Sequence, residues 1–219
     1  MNEIWREGAV QGVGRRALWE RRGAWTGVLC SRRVPAGLIL AAQDWANRRG
    51  MACHAQNVTL TEKPAANNSR GFQGMASHAP TVDAEMVDAE MVFVSGWQSP
   101  VEQEIFRILR RENVPVVGVA ARELSGARLP RSWREGVDAG AMAVVSPFED
   151  AARLSQPRAA ARNRWILQNC SHVVVPHAAP GGALHDLLLE TLAKPDAPQI
   201  WTFAHELHAE LFNAHAQQL

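Results

Sequence analysis

The chain has 219 residues, 47% of them hydrophobic and 21% charged, which is apolar enough to bury a core and too apolar for a disordered tail. Its 23 basic and 22 acidic residues leave a formal charge of +1, which excludes a polycation that holds nucleic acid by bulk charge. Three widely spaced cysteines, Cys30, Cys53 and Cys170, form no C-x-x-C pair, so neither a disulfide framework nor a structural zinc site is expected. The segment from Met1 to Glu7 carries acids and no apolar run, which predicts no signal peptide. No window approaches the roughly 20 apolar residues that span a bilayer, and the expectation is a cytoplasmic protein without membrane contact. Only Lys63 and Lys194 are lysines; arginine, which grips phosphate through a planar fork, supplies the rest of the positive charge.

In chain order, the first β-branched run is Trp25 to Cys30, followed after Pro35 by a helical stretch from Leu38 to Arg49 that Gly50 should close. A loop-like segment rich in Asn, Gly and Pro, about 52–84, breaks the alternation and reads as a mobile insertion into a single domain covering 1–219. The pentapeptide Val82 to Met86 then recurs as Val87 to Met91, too short a repeat for a solenoid. The next strand, Met91 to Ser95, leads to a helix from Val101 to Glu112. Ser99 as N-cap, Pro100 and Glu102 make its start a capping box.

Further strands follow at Val114 to Val119, Met142 to Ser146, His172 to Pro176 and Gln199 to Phe203. They alternate with helices near Ser132 to Val137, Ala159 to Cys170 and Leu184 to Ala193, and an amphipathic helix with Leu207, Leu211 and Phe212 on one face closes the chain. Strands alternating with helices predict an α/β fold: a Rossmann-like, doubly wound, mainly parallel sheet of five to seven strands with helices on both faces.

Ligands of such sheets bind beyond the carboxyl ends of the strands, so the loops there hold the candidates. Ser31 and Arg32 follow the first strand. Gly96, Trp97, Gln98 and Ser99 follow the second, with Ser99 read first as a cap and second as a ligand contact. Arg162, Asn163 and Arg164 open a later helix; being two apart, the arginines project to different sides, one toward a ligand and one toward packing or an acid. His177 begins a turn ending in Gly181 and Gly182, where backbone N–H groups can approach a phosphate.

Other motifs fail. Gly12, Gly14 and Ala17 match G-x-G-x-x-A, but no strand-length apolar run precedes them. His205 and His208 are three apart where a zinc helix needs four, and no metal site or cofactor is expected.

The ordered set Cys30-Ser31-Arg32, Ser95-Gly96, Arg162-Asn163-Arg164 and Pro180-Gly181-Gly182 resembles the DNA-processing protein A (DprA/Smf) family of the wider SLOG group. That resemblance implies a Rossmann-like domain whose G-S-R loop, here with Cys30 for glycine, and R-N-R segment line a phosphate pocket. It implies binding to single-stranded DNA or a nucleotide-derived small molecule without catalysis; from their own place in the ligand-edge loops, Trp97, Gln98 and His177 are the candidate base contacts. DNA processing or uptake follows from the same resemblance, whose classic members load RecA, a partner that no motif here marks. The Leu207, Leu211 and Phe212 face, read apart from the resemblance, could dock on the same chain or make a homodimer. The second loop departs from the family's S-G-x-A-R-G-I-D by losing its basic residue and is closer to a short subgroup with S-P-x-E-x-E. Neither accessory module of larger relatives is expected in this length. The rival is a nucleoside monophosphate phosphoribohydrolase of the LOG type, whose catalytic glutamate falls at Leu187 here.

Overall fold

The computed structural model describes residues 3–61 and 91–219, the side chains of 53–61 excepted. Among the described residues it forms one nine-stranded sheet in the order β1-β2-β6-β5-β4-β3-β7-β8-β9. Six strands predicted from sequence are present and mutually parallel: β3 (Trp25–Val28), β4 (Val92–Ser95), β5 (Val116–Val119), β6 (Met142–Ser146), β7 (His172–Val175) and β8 (Gln199–Thr202). Their register fixes the switch point, because β3 pairs with β4 on one side and with β7 on the other.

The three further strands exceed the five to seven expected. β1 (Trp5–Glu7) and β2 (Val10–Gly14) form a hairpin that adds antiparallel to β6, and β9 (Gln217–Gln218) adds to β8. The hairpin escapes an apolar-run criterion because charged residues, glutamine and glycines interrupt its apolar positions, with Trp5 opposite Gly12. Gly12 lies under the Trp5 indole, and a Cβ there would meet Trp5 Cζ2 at 2.0 Å. The G-x-G letters at Gly12 and Gly14 are thus part of a strand.

Alternate strand residues feed two cores, as a pleated sheet covered on both faces requires. On one face Phe93, Val116, Met142, Val144 and Val174 meet α2 (Ala36–Thr61), α3 (Pro100–Arg111) and α4 (Arg131–Asp138). On the other, Val92, Val94, Val145, Val173 and Val175 meet α1 (Ala17–Glu20), α5 (Gln156–Asn169), α6 (Ala183–Leu192) and α7 (Ala209–Asn213).

Two helix expectations are corrected. Gly50 does not end α2, which runs on to Thr61 and so takes up the first residues of the expected insertion. Gly50 lies against α3's end, where a Cβ would meet Glu112 Cγ at 2.6 Å, so close helix approach accounts for the glycine. The remainder of the insertion and most of the pentapeptide repeat lie outside the described residues. The C-terminal helix is interrupted: a 3-10 turn at Glu206–His208 precedes α7, and the chain then turns at His215, with φ 74°, into β9. Leu211 is fully buried while Leu207 is 37% exposed, so the predicted single apolar face is split.

Candidate functional site

At the switch point, where a doubly wound sheet is expected to open its ligand crevice, backbone hydrogen bonds join the β3 and β7 loops. Leu29 N–H donates to Val174 O (3.1 Å), and Ser31 N–H donates to His177 O (2.9 Å). Ser31 Oγ accepts from Ala179 N–H at 3.0 Å, which leaves its hydroxyl proton and one lone pair for a ligand.

The third wall comes from the capping box at α3, which does more than end a helix. Ser99 Oγ accepts from Glu102 N–H, and Glu102 Oε2 accepts from the N–H groups of Ser99 (3.1 Å) and Gln98 (2.7 Å). Glu102 Oε1 reaches across to accept from Cys30 N–H at 2.9 Å, joining the β3 loop to the β4 loop. Burial pushes the Glu102 carboxyl above its usual range, against the pull of the Arg162 guanidinium and the backbone donors. Burial and this carboxylate together push the Cys30 thiol up to about 12, so it stays protonated and unreactive. Ser99 and Glu102 are consumed by this frame, and of the two readings of Ser99 the cap is the one seen.

Arg162 is 4% exposed, its guanidinium laid on the Gly96 backbone; a Cβ on Gly96 would lie 2.1 Å from Arg162 Cζ. Asn163 Oδ1 accepts from Arg162 Nε (3.3 Å) and Nη2 (2.9 Å), holding the fork in place. Burial lowers the Arg162 pKa, nearby Glu102 raises it, and Arg32 lowers it further. Arg32 is exposed on the β3 loop and forms no ion pair among the described residues. Arg162 thus feels one carboxylate, Glu102, and one further guanidinium, Arg32.

The turn after β7 completes the crevice. Gly181 has φ 67°, a left-handed conformation suited to glycine, and Gly182 is the N-cap of α6 without any side-chain cap. Helices α3 and α5 are capped by Ser99 and Ser155, so α6 presents an uncapped N-terminus here.

Three candidates lie elsewhere. Arg164 is on the far side of α5 from Arg162 and pairs with Glu190 of α6 at 2.8 Å. Trp97 is 2% exposed, with Nε1 donating to Val117 O at 3.0 Å and its ring against Phe106, so it has no face to offer a base. Its φ of 49° turns the ring inward and leaves Gln98 on the surface side. His177 is buried behind the turn, and its Nδ1 lies 3.0 Å from Nε2 of His208. Gln98 remains at the rim with Nε2 donating to Gly96 O at 3.0 Å. The glutamate position of the LOG enzymes, Leu187, is a core residue 4% exposed.

Apart from its failed zinc spacing with His205, nothing in the sequence marks His208, because its partners are remote or backbone. His208 Nδ1 lies 2.9 Å from Phe203 O and 3.0 Å from Thr202 Oγ1. A carbonyl only accepts, so Nδ1 carries the proton, and Nε2 accepts from His177 Nδ1–H. Burial, then His208 and His205, push His177 down to about 4, and burial also lowers His208. The unfolded chain, with histidine near 6.5, takes up protons first as pH falls. Stability held above about pH 6.5 should therefore be lost as pH drops toward 4. Thermal melts across that window should show His177→Gln losing less on acidification than the parent; equal losses would remove the histidine pair as the cause.

The fold and crevice define a doubly wound, Rossmann-like α/β protein with its switch point between β3 and β7. No protein-family model and no curated protein matches the sequence. Among solved structures, DNA processing protein A (DprA) from Streptococcus pneumoniae superposes with a TM-score of 0.60 at 13% identity, over 96% of this chain and 62% of that one. This chain thus spans about three fifths of the streptococcal protein. DprA from Helicobacter pylori, a structure concerned with its single-stranded DNA binding mode, gives a TM-score of 0.64 at 12% identity over 100% of this chain and 93% of that one. The fold is that of DprA, in agreement with the resemblance in the sequence motifs. Among the described residues no helix is long and apolar enough to cross a membrane.

Proposed function

We propose that this protein binds the phosphates of single-stranded DNA, or of a nucleotide, in the crevice between β3 and β7. The observation that carries this reading is the Arg162 guanidinium, buried on Gly96 beside Arg32 with Asn163 as its hydrogen-bond partner. Arg162 is buried with only Glu102 as a nearby carboxylate, and the exposed Arg32 adds a second positive charge, so an anion at this edge gains attraction from both. Arginine offers a phosphate two parallel N–H donors, and the uncapped N-terminus of α6 supplies further N–H groups and a favourable dipole. The DprA fold, and the single-stranded DNA bound by the Helicobacter protein, support DNA as the larger ligand. Binding and not hydrolysis is the expected activity, since Leu187 stands in the core where the LOG enzymes place glutamate.

Fluorescence anisotropy of a labelled single-stranded oligonucleotide at several salt concentrations tests this. Affinity should fall with salt at a slope of about −0.7 per phosphate contacted. Arg32→Ala should weaken binding by about 2 kcal/mol, roughly thirtyfold, and flatten the slope without changing the melting temperature. Arg164→Ala, whose partner is Glu190, should bind like the parent. Equal affinity of Arg32→Ala and the parent would place the phosphates elsewhere.

A further inference from the structure

A second cavity, about 130 Å³, opens beside the crevice at the carboxyl end of β5. Its walls are apolar, from Leu124, Leu129 and Trp133, and Leu154 stands 47% exposed at its lining. Three guanidiniums border it: Arg162, shared with the crevice, and Arg122 and Arg128, both exposed and without an ion pair among the described residues. Two acids near these arginines in sequence are engaged, Glu123 with Arg6 at 3.9 Å and Asp150 with Arg158 at 2.7 Å. The surface thus combines an apolar slot with the exposed guanidiniums of Arg122 and Arg128, which form no ion pair among the described residues. Pockets for drug-sized ligands occupy about 300–1,000 Å³, so this slot admits one ring system and not a whole nucleotide.

Gln98 supplies the polar edge. Gln98 lines the cavity with its Nε2 donating to Gly96 O, which leaves Oε1 as an acceptor with no hydrogen bond among the described residues. An acceptor there pairs with an exocyclic amino group and opposes a carbonyl.

We propose that this pocket is a base-binding subsite that takes one amino-bearing nucleobase, stacked among Leu124, Leu129 and Trp133, while the adjoining phosphates lie on Arg162, Arg122 and Arg128. The proposal rests on the phosphate reading of the crevice and adds selectivity to it. Cytosine and thymine are the informative pair, being close in size and differing where Gln98 reads them.

The test compares short oligomers of dC, dT and an abasic backbone by anisotropy at one salt concentration. The parent should bind dC roughly tenfold or more tighter than the abasic strand, with dT between them. Ala127→Phe, which fills the slot from its lining, should reduce all three to the abasic affinity and leave the salt slope unchanged. Leu154→Asp alters an exposed side chain, so its fold is secure, and it should give the same loss of discrimination. Binding by the parent that is equal for dC and abasic strands, or discrimination intact in both variants, would overturn the subsite and leave the phosphate crevice standing. No binding of any strand at low salt would overturn both.

Discussion

Glu102→Ala is expected to destabilise the protein by about 4 kcal/mol, because it orphans three buried N–H groups at once, each costing about 1–3 kcal/mol when unsatisfied. The donors belong to Cys30, Gln98 and Ser99, on the two loops that this one carboxylate joins to α3. Arg162 would also lose the carboxylate that offsets its burial. For a domain of this size such a loss lowers the melting temperature by roughly 8–16 °C and is a large part of the 5–15 kcal/mol available. Glu102→Gln keeps one accepting oxygen and should fall between the two. Thermal or denaturant unfolding decides it: a change below about 1 kcal/mol for the alanine variant would mean that water replaces the carboxylate and the frame is not rigid.

Adding a single methyl group at Gly96 should have the largest effect on binding. The new Cβ would lie 2.1 to 2.4 Å from Cζ, Nη1 and Nε of Arg162, inside any tolerable contact. The guanidinium is planar and confined by Asn163, so it must leave the crevice or force the β4 loop outward. Overpacking of this kind costs about 1–3 kcal/mol of stability. Binding should fall by two orders of magnitude, since the Gly96→Ala protein loses its buried phosphate contact outright, worth about 3 kcal/mol. A Gly96→Ala protein that binds oligonucleotide like the parent would show that Arg162 faces the ligand only incidentally.

The two arginines of α5 show where sequence reasoning stops. Residues two apart on a helix project about 200° from each other, so one of Arg162 and Arg164 had to leave the ligand side. Which one depends on how α5 sits on β3 and β4, and that docking turns Arg162 inward and gives Arg164 to Glu190. Trp97 differs similarly: its place in a ligand-edge loop was legible, but its φ of 49° and the acceptor at Val117 O draw the ring into the core.

Sequence alone determined the six parallel strands, the helices between them and the capping box at Ser99, because each depends on hydrophobic period or on hydrogen bonds within a few residues. It also determined the order of the loops that gather at the carboxyl edge. The tertiary structure decided what those loops do to one another: Glu102 meets Cys30 across 72 positions, Ser31 meets Ala179 across 148, and His177 meets His208 across 31. Such partners follow from strand order and crossover packing. No local propensity encodes them, since a buried donor accepts any partner that the fold brings within reach.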